Sequence, residues 1–280
     1  MSDKKLKNID EKVVKGFGEE WDSFNQSSLN EKEAKDLFNR YFNIFPSDFL
    51  KDNKVGIDIG CGSGRWAKHI APLVKELYCV DASNQALNVA KNNLDGFDNC
   101  FFIHTPTDNL NSLDKKFDFG YSIGVLHHIP DTKKALNDCI SILKKGAPFL
   151  VYLYFAFDNK PIWYRVLWKI SDPIRFFISR SSFPIRKLIS TLIALFIYLP
   201  FSKLALIFDK FGIPSKNIPL SSYKKTSFYT MRTDALDRFG TRLEQRFTKQ
   251  EIHSLMIDAG LINIEFSNDI PYWTAVGFKK

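Results

Sequence analysis

The run Val55-Gly56-Ile57-Asp58-Ile59-Gly60-Cys61-Gly62-Ser63-Gly64 joins a short apolar stretch to a turn with glycine at every second position. Glycine has no Cβ, so a ligand can come close to the backbone of such a turn. Dinucleotide-binding proteins use glycine turns as well, and the pattern alone does not choose a ligand. Two details turn the reading away from a pyrophosphate. A G-x-G-x-x-G fingerprint needs glycine at position 65, where Arg65 stands. The carboxylate of Asp58 would repel a pyrophosphate, whereas it suits a ligand carrying an ammonium group. Asp81 ends the next apolar run and can accept both hydroxyl hydrogens of a ribose. The alternative for each Asp is a solvated turn residue.

His127 and His128 follow a further apolar run and are candidates to take a proton from a hydroxyl acceptor, since His is the commonest general base. The plainer reading, a loop pair that packs and hydrogen-bonds with Asp131 as partner, weighs more. His69 and His253 fall in expected helices away from the strand ends. Cys61, Cys79, Cys100 and Cys139 are widely spaced, with no C-x-x-C pair and no His at metal-ligand spacing. They read as small buried residues in a reducing compartment, and no metal site is expected.

These residues need strands to carry them. Apolar runs at Val55–Ile59, Leu77–Asp81, Cys100–His104, Phe117–Ser122 and Ala147–Tyr154 alternate with helical stretches at Arg65–Val74, from Ser83 to about Leu94, and from Asp131 to Leu143. Such alternation predicts an α/β fold, a parallel sheet with helices on both faces. Before it, two amphipathic helices are expected, breaking near Pro46. After it, the alternation stops from Phe155 to about Thr230. A helix capped by Thr248 and two strands, Ile262–Ser267 and Trp273–Phe278, close the chain.

Three motifs in this order, each at a strand end, resemble class I S-adenosylmethionine-dependent methyltransferases of the small-molecule kind (methyltransferase type 11). They are Asp58-Ile59-Gly60-Cys61-Gly62-Ser63-Gly64, Asp81-Ala82-Ser83, and Phe117 through Ile129 with the sequence Phe-Asp-Phe-Gly-Tyr-Ser-Ile-Gly-Val-Leu-His-His-Ile. The resemblance covers about 100 residues. It implies a Rossmann-like seven-stranded sheet with the last strand antiparallel, and S-adenosylmethionine across the carboxyl ends of strands one, two and four. It also implies site roles: Asp58 and Gly60 at the methionine end, Cys61 and Gly62 where the backbone approaches, Asp81 on the ribose, Ala82 beside the adenine, and Ser122 and Ile123 at the reacting centre. Relatives of many substrate classes carry His at the positions of His127 and His128. The family's acidic residue for the adenine amino group is displaced here: Asp108 sits about two positions late, leaving Thr107 or a backbone group to serve. Gly16 to Phe24, with Phe17 and Trp21, resembles a helix that covers the cofactor in some relatives; plain helix packing explains it equally well.

The resemblance divides the chain into a helical N-terminal lid (1–50), a cofactor core (51–154), an inserted helical substrate cap (155–235) and a completion of the sheet (236–280). The cap is rich in cations and rings. Between Asp158 and Lys187, seven Lys or Arg face two Asp, which suits an anionic acceptor or a solvated basic face. Leu188–Phe208 is nearly long enough to span a bilayer. Pro200 and Lys203 argue instead for two shorter helices, buried against the core or, less expectedly, lying at a membrane interface. Asp234 to Arg242, with Arg246-Phe247-Thr248, loosely resembles methyltransferases of surface-polysaccharide or sugar pathways; Asp237, Arg238 and Arg242 would face the acceptor or pair with one another.

The expected activity is methyl transfer to a small molecule, with a sugar hydroxyl or a lipid-linked, anionic acceptor in view. Other readings are an RNA or protein methyltransferase, or a non-catalytic cofactor-binding protein at a membrane. The net charge of +8 allows nucleic acid, but no RNA-binding module is appended and no N-P-P-Y-type signature follows strand four. The charged run MSDKKLKNIDEKVVKG does not read as a secretory signal, so a cytoplasmic protein is expected, peripheral at a membrane through 188–208.

Overall fold

A computed structural model describes residues 8–215 and 218–280. The first seven residues of the expected lid and of the charged amino-terminal run lie outside these. The described chain divides into two units: residues 8–26, 35–155 and 243–280 form one, and residues 27–34 with 156–242 form the other.

The first unit is built on five parallel strands, β1 (Val55–Ile59), β2 (Glu76–Asp81), β3 (Cys100–His104), β4 (Phe119–Ile123) and β5 (Pro148–Tyr152). The chain adds β6 (Leu261–Phe266) and β7 (Ala275–Lys279), giving the order β3-β2-β1-β4-β5-β7-β6. β7 runs antiparallel to both of its neighbours. The sheet is therefore seven-stranded with its last strand reversed, the α/β class that the motifs imply. Short central strands read as near-continuous apolar runs because both faces are covered. Ile57 and Ile59 face one core with Leu136 and Phe149; Phe119 and Tyr121 face the other with Trp66 and Leu77. The order turns back between β1 and β4, and in open sheets of this kind the ligand crevice lies outside the carboxyl ends there.

Helices α1 (Glu11–Ser23), α3 (Ala67–Ile70), α4 (Asn84–Asn93), α5 (Thr132–Ser141) and α10 (Lys249–Asp258) surround this sheet, while α2 (Glu31–Phe42) begins in the second unit and ends in the first. Asp10, Ser83, Asp131 and Thr248 cap their helices through side-chain oxygens, and Thr248 with Glu251 completes a capping box. One element is shorter than the sequence predicts. The helix expected over Arg65–Val74 is only a turn, Ala67–Ile70, followed by 3-10 geometry over Ala71–Leu73, because Pro72 has no N–H to continue the ladder.

Gly56 stands in β1 opposite the Phe119 ring, and a Cβ there would fall well under 3.0 Å from three ring atoms. Phe119 is wholly buried and touches Phe45 edge-on, with centroids 5.7 Å apart, so it has no room to yield. Gly56→Ala is expected to cost about 2 kcal/mol by overpacking. Urea denaturation would measure this, and Phe119→Leu in the same chain should recover part of the loss. Unchanged stability of the single variant would contradict the ring placement.

The second unit is helical: α6 (Ile162–Ile178), α7 (Phe183–Ile193), α8 (Leu199–Lys210) and α9 (Phe228–Gly240). Two shorter helices were the expectation over 188–208. Instead α7 and α8 are joined by a π-turn, Ala194–Tyr198, into one 28-residue helix, Phe183–Lys210. In the π-turn the Leu199 N–H reaches back five residues to the Ala194 carbonyl. The widened turn lets Pro200, which has no N–H, enter without breaking the helix. Burial was the favoured expectation for this stretch, but only 22% of its apolar window is buried.

Candidate active site at the strand ends

The turn after β1 carries Gly60, Gly62 and Gly64 at φ of +76°, +54° and +75°, a region that residues with a Cβ rarely enter. Space constrains two of them further. A Cβ on Gly60 would lie 2.5 Å from Val125, and one on Gly62 would lie 2.8 Å from the indole nitrogen of Trp21. Between them Cys61 is buried; hydrogen bonding with Cys79 lowers its thiol pKa, but burial together with the Asp81 and Asp58 charges pushes it up to about 11. It is therefore a neutral packing group.

Asp81 closes this turn. Its Oδ2 accepts the Gly62 N–H at 2.9 Å and its Oδ1 accepts the Ser83 N–H at 2.8 Å. Burial raises the carboxyl above its usual range, and the two amide hydrogen bonds oppose that shift. Each carboxylate oxygen accepts more than one hydrogen bond, so capacity remains for a ligand's hydroxyls. The peptide after Asp81 is pinned too, because His104 Nε2 donates to the Ala82 carbonyl at 2.8 Å.

Asp58 lies beneath the turn, 1% exposed, opposite Tyr121 of β4 and Cys79 of β2. Its Oδ2 is buried without a hydrogen-bond partner among the described residues. Burial drives its pKa well above the usual carboxylate range; the Tyr121 phenol offsets part of this and the Asp81 charge adds to it. Such an orphaned acceptor is a place for a donor to arrive. Ser122, wholly buried, donates its hydroxyl to the Ile59 carbonyl at 2.9 Å, tying the ends of β1 and β4 together. Its side chain is thus committed within the sheet, and Ile123 follows it at the strand end, 6% exposed. The Thr107 hydroxyl, after β3, is another buried group without a partner among the described residues.

α1 packs against α4 and this turn, with Trp21 over Gly62. Its amino end is anchored by Asn8. The Asn8 N–H donates to Asp108 Oδ2 at 2.9 Å, its side-chain amide donates to the Asp131 carbonyl at 2.8 Å, and its Oδ1 accepts the Asp131 N–H at 2.9 Å. The displaced acid Asp108 therefore tethers the N-terminal segment.

The histidines belong to a separate buried group that the sequence reading did not assemble. His127 is wholly buried and stacks on Tyr154 with centroids 4.0 Å apart. Its ring nitrogens have no hydrogen-bond partner among the described residues. Burial depresses its pKa well below the usual imidazole value, and the neighbouring His128 and Arg246 depress it further. His128 donates from Nδ1 to the Leu243 carbonyl at 2.6 Å and touches Phe17, 4.9 Å between centroids. Asp131, the partner expected for the pair, spends its carboxylate instead on the Lys134 N–H at the start of α5. The guanidinium of Arg246 lies 5.1 Å from the Tyr154 ring and pairs with Glu244 at 2.8 Å. Tyr154 and Glu244 carry no motif, and only the fold brings them to the histidines. Among the described residues no group of three or more His, Cys, Asp or Glu could hold a metal. In the second unit Asp234 bonds the Tyr223 hydroxyl at 2.6 Å and Arg238 lies over the same ring at 5.6 Å.

The residues of the turn fit a nucleoside with an amino-acid tail: a Cβ-free backbone, a ribose-competent carboxylate at a strand end, and an unsatisfied acceptor below. Comparison with known proteins agrees. Residues 57–151 match the family model of a methyltransferase domain. An uncharacterized methyltransferase of Bacillus subtilis, YcgJ, is 30% identical over 102 residues, which is 36% of this chain and 40% of that one. A ubiquinone biosynthesis O-methyltransferase of Paraburkholderia phymatum is 27% identical over 108 residues, 38% of this chain and 45% of that one. The chain thus spans less than half the length of these curated relatives. An O-methyltransferase family protein from Burkholderia thailandensis shares the fold, with a TM-score of 0.56 at 12% identity over 92% of this chain and 59% of that one. Residues 57–151 are thus a methyltransferase domain of the S-adenosylmethionine-dependent kind, with S-adenosylmethionine as its cofactor.

Proposed function

We propose that the protein transfers the methyl group of S-adenosylmethionine to a hydroxyl of a small, anionic or lipid-linked acceptor, such as a sugar, in the cytoplasm and peripherally at a membrane. The observation that carries the methyltransferase reading is Asp81 fastened to the Gly62 N–H across the ends of β1 and β2. Bound cofactor supplies a methyl group already activated on a sulfonium. What remains for the chain is to bind, orient and take a proton. Asp58 receives the ammonium of the methionine end, with the Gly60 backbone beside it. Cys61 and Gly62 line the backbone approach, Asp81 takes the ribose hydroxyls, and Ala82 flanks the adenine. The Thr107 hydroxyl, orphaned at the end of β3, serves the adenine in place of the committed Asp108. Ser122 and Ile123 border the reacting centre through their backbone. Helix α1, with Trp21 and Phe17, acts as the lid. Orientation of the acceptor supplies the larger part of the rate, up to about 7–11 kcal/mol.

Of the two histidines, His128 has the geometry of a base. A carbonyl accepts from its Nδ1, so that nitrogen carries the proton and Nε2 carries the lone pair. His127, whose pKa is depressed by burial, is a packing partner of Tyr154.

An O-methyltransferase relative and the basic surplus of the insertion favour a hydroxyl acceptor of anionic character. The test is transfer of labelled methyl from S-adenosylmethionine into lipid and glycan extracts, with total RNA and protein as parallel acceptors. Label in an extractable lipid or glycan is the expected result. Label confined to RNA and lost as salt rises would replace this acceptor class with nucleic acid.

A further inference from the structure

The second unit is built inside out. A helix on a soluble domain turns its large apolar residues inward and its polar ones to water. The 28-residue helix Phe183–Lys210 does the reverse. Its buried residues are Ser190, Ala194, Tyr198, Ser202 and Ala205, a stripe at three- and four-residue spacing, and Ala194 and Tyr198 pack with Met231 and Ala235 of α9. Its large apolar side chains point outward: Leu188 is 60% exposed and Phe196 69%. α6 repeats the arrangement. Trp168, Arg175 and Ile178 turn inward or are half-buried, with Arg175 Nε bonded to the Arg238 carbonyl at 2.7 Å, while Ile170 is 64% exposed and Phe177 72%. Continuous apolar surface of this extent marks an interaction face.

Charge identifies the partner. From Ala156 to Arg242 there are fifteen Lys or Arg and five Asp, a net of +10, while the whole chain carries +8. The basic excess of the protein thus resides entirely in the insertion. Arg165, Lys169, Arg180, Lys203 and Lys210 stand exposed among the apolar residues. An apolar face fringed by cations fits the headgroup boundary of an anionic leaflet.

Geometry decides between lying on the membrane and crossing it. By length and composition the long helix could cross. Its uninterrupted uncharged stretch, Leu188 to Ser202, has fifteen residues, about 22 Å at 1.5 Å per residue, short of a hydrocarbon core of about 30 Å. Its inward face is also packed on α9, which carries Arg232, Asp234, Asp237 and Arg238; a spanning helix would draw these charges into hydrocarbon or give up that packing.

We infer that α6, α7 and α8 dock in the plane of an anionic lipid bilayer, apolar faces inserted and cations at the headgroups. The inference deepens the membrane contact proposed above and does not depend on methyl transfer. It is tested by floating the full chain, without cofactor, on vesicles of phosphatidylcholine with and without phosphatidylglycerol. At least about ten-fold more protein should float with the anionic vesicles, because each cation near such a leaflet strengthens binding roughly five-fold. Raised salt should weaken it. The double variant Ile170→Glu, Phe177→Glu, altering two exposed side chains, should lose flotation ten-fold or more with an unchanged melting temperature. Alkaline carbonate should strip the bound protein. No flotation on anionic vesicles, or concentration-dependent dimers in sedimentation velocity that the double variant abolishes while vesicles go unbound, would overturn the proposal in favour of a second copy as occupant. Resistance to carbonate would overturn the in-plane geometry. Failure of methyl transfer with flotation intact would count against the activity alone.

Discussion

Asp81→Ala is expected to weaken S-adenosylmethionine binding by about 100-fold or more while the chain stays folded. The carboxylate would accept both ribose hydroxyls, and a hydrogen bond to a charged group contributes about 1.5–3 kcal/mol. Two such bonds correspond to at least two decades of affinity. The same carboxylate orders the turn through the Gly62 N–H, so its loss also loosens the backbone that the cofactor approaches. Stability should change little, since the native site disfavours the ionised carboxyl through burial and recovers only part of that cost from two amides. Asp81→Asn keeps one acceptor oxygen and should fall between the two. Calorimetric titration with S-adenosylmethionine, S-adenosylhomocysteine and NAD reads the effect. Unchanged affinity in the alanine variant would mean that the ribose lies elsewhere, and binding of NAD alone would remove the cofactor assignment.

The parts of the site that the sequence displays are those made by neighbours in the chain. A glycine turn announces itself because positive φ and close approach both demand glycine at fixed places, and Asp58 and Asp81 are found by counting from strand ends. The strands were legible because central parallel strands are apolar on both faces, as Val55–Ile59 and Phe119–Ile123 show. What the sequence hides is assembled from distant segments. Tyr154 follows β5, Glu244 and Arg246 precede α10, and it is the β4–β5 pairing, with the Gln245 N–H bonded to the His127 carbonyl and the Phe247 N–H to the Tyr154 carbonyl, that brings them to His127. The knot of Asn8, Asp108 and Asp131 spans more than a hundred residues with no local signature. Exposure was hidden as well. Hydropathy shows that 188–208 is apolar but not which way it faces, and the stripe Ser190–Ala194–Tyr198–Ser202, which does show it, is weak beside the Leu and Phe between. Pro200 likewise predicts a break only if the preceding turn is α rather than π.

His128→Asn is expected to lower kcat by about 100-fold and leave cofactor affinity unchanged. The amide nitrogen of asparagine occupies nearly the position of imidazole Nδ1, so the bond to the Leu243 carbonyl can persist. What disappears is the Nε2 lone pair, oriented by the Nδ1 bond to the Leu243 carbonyl. General-base catalysis contributes about 10²- to 10⁴-fold, and the lower end applies to an acceptor whose partner is already activated. His127→Phe is the control. It preserves the stack on Tyr154 and deletes two nitrogens that burial keeps uncharged, so kcat should stay within about three-fold of the parent, in the range of an isosteric core exchange. Single-turnover methyl transfer on the acceptor found by labelling separates the chemical step from product release. A large loss at His127 with little at His128 would exchange their roles. Little loss at either would assign the reaction to orientation alone, which suffices when the acceptor atom is already deprotonated and the chain needs only to hold it in line.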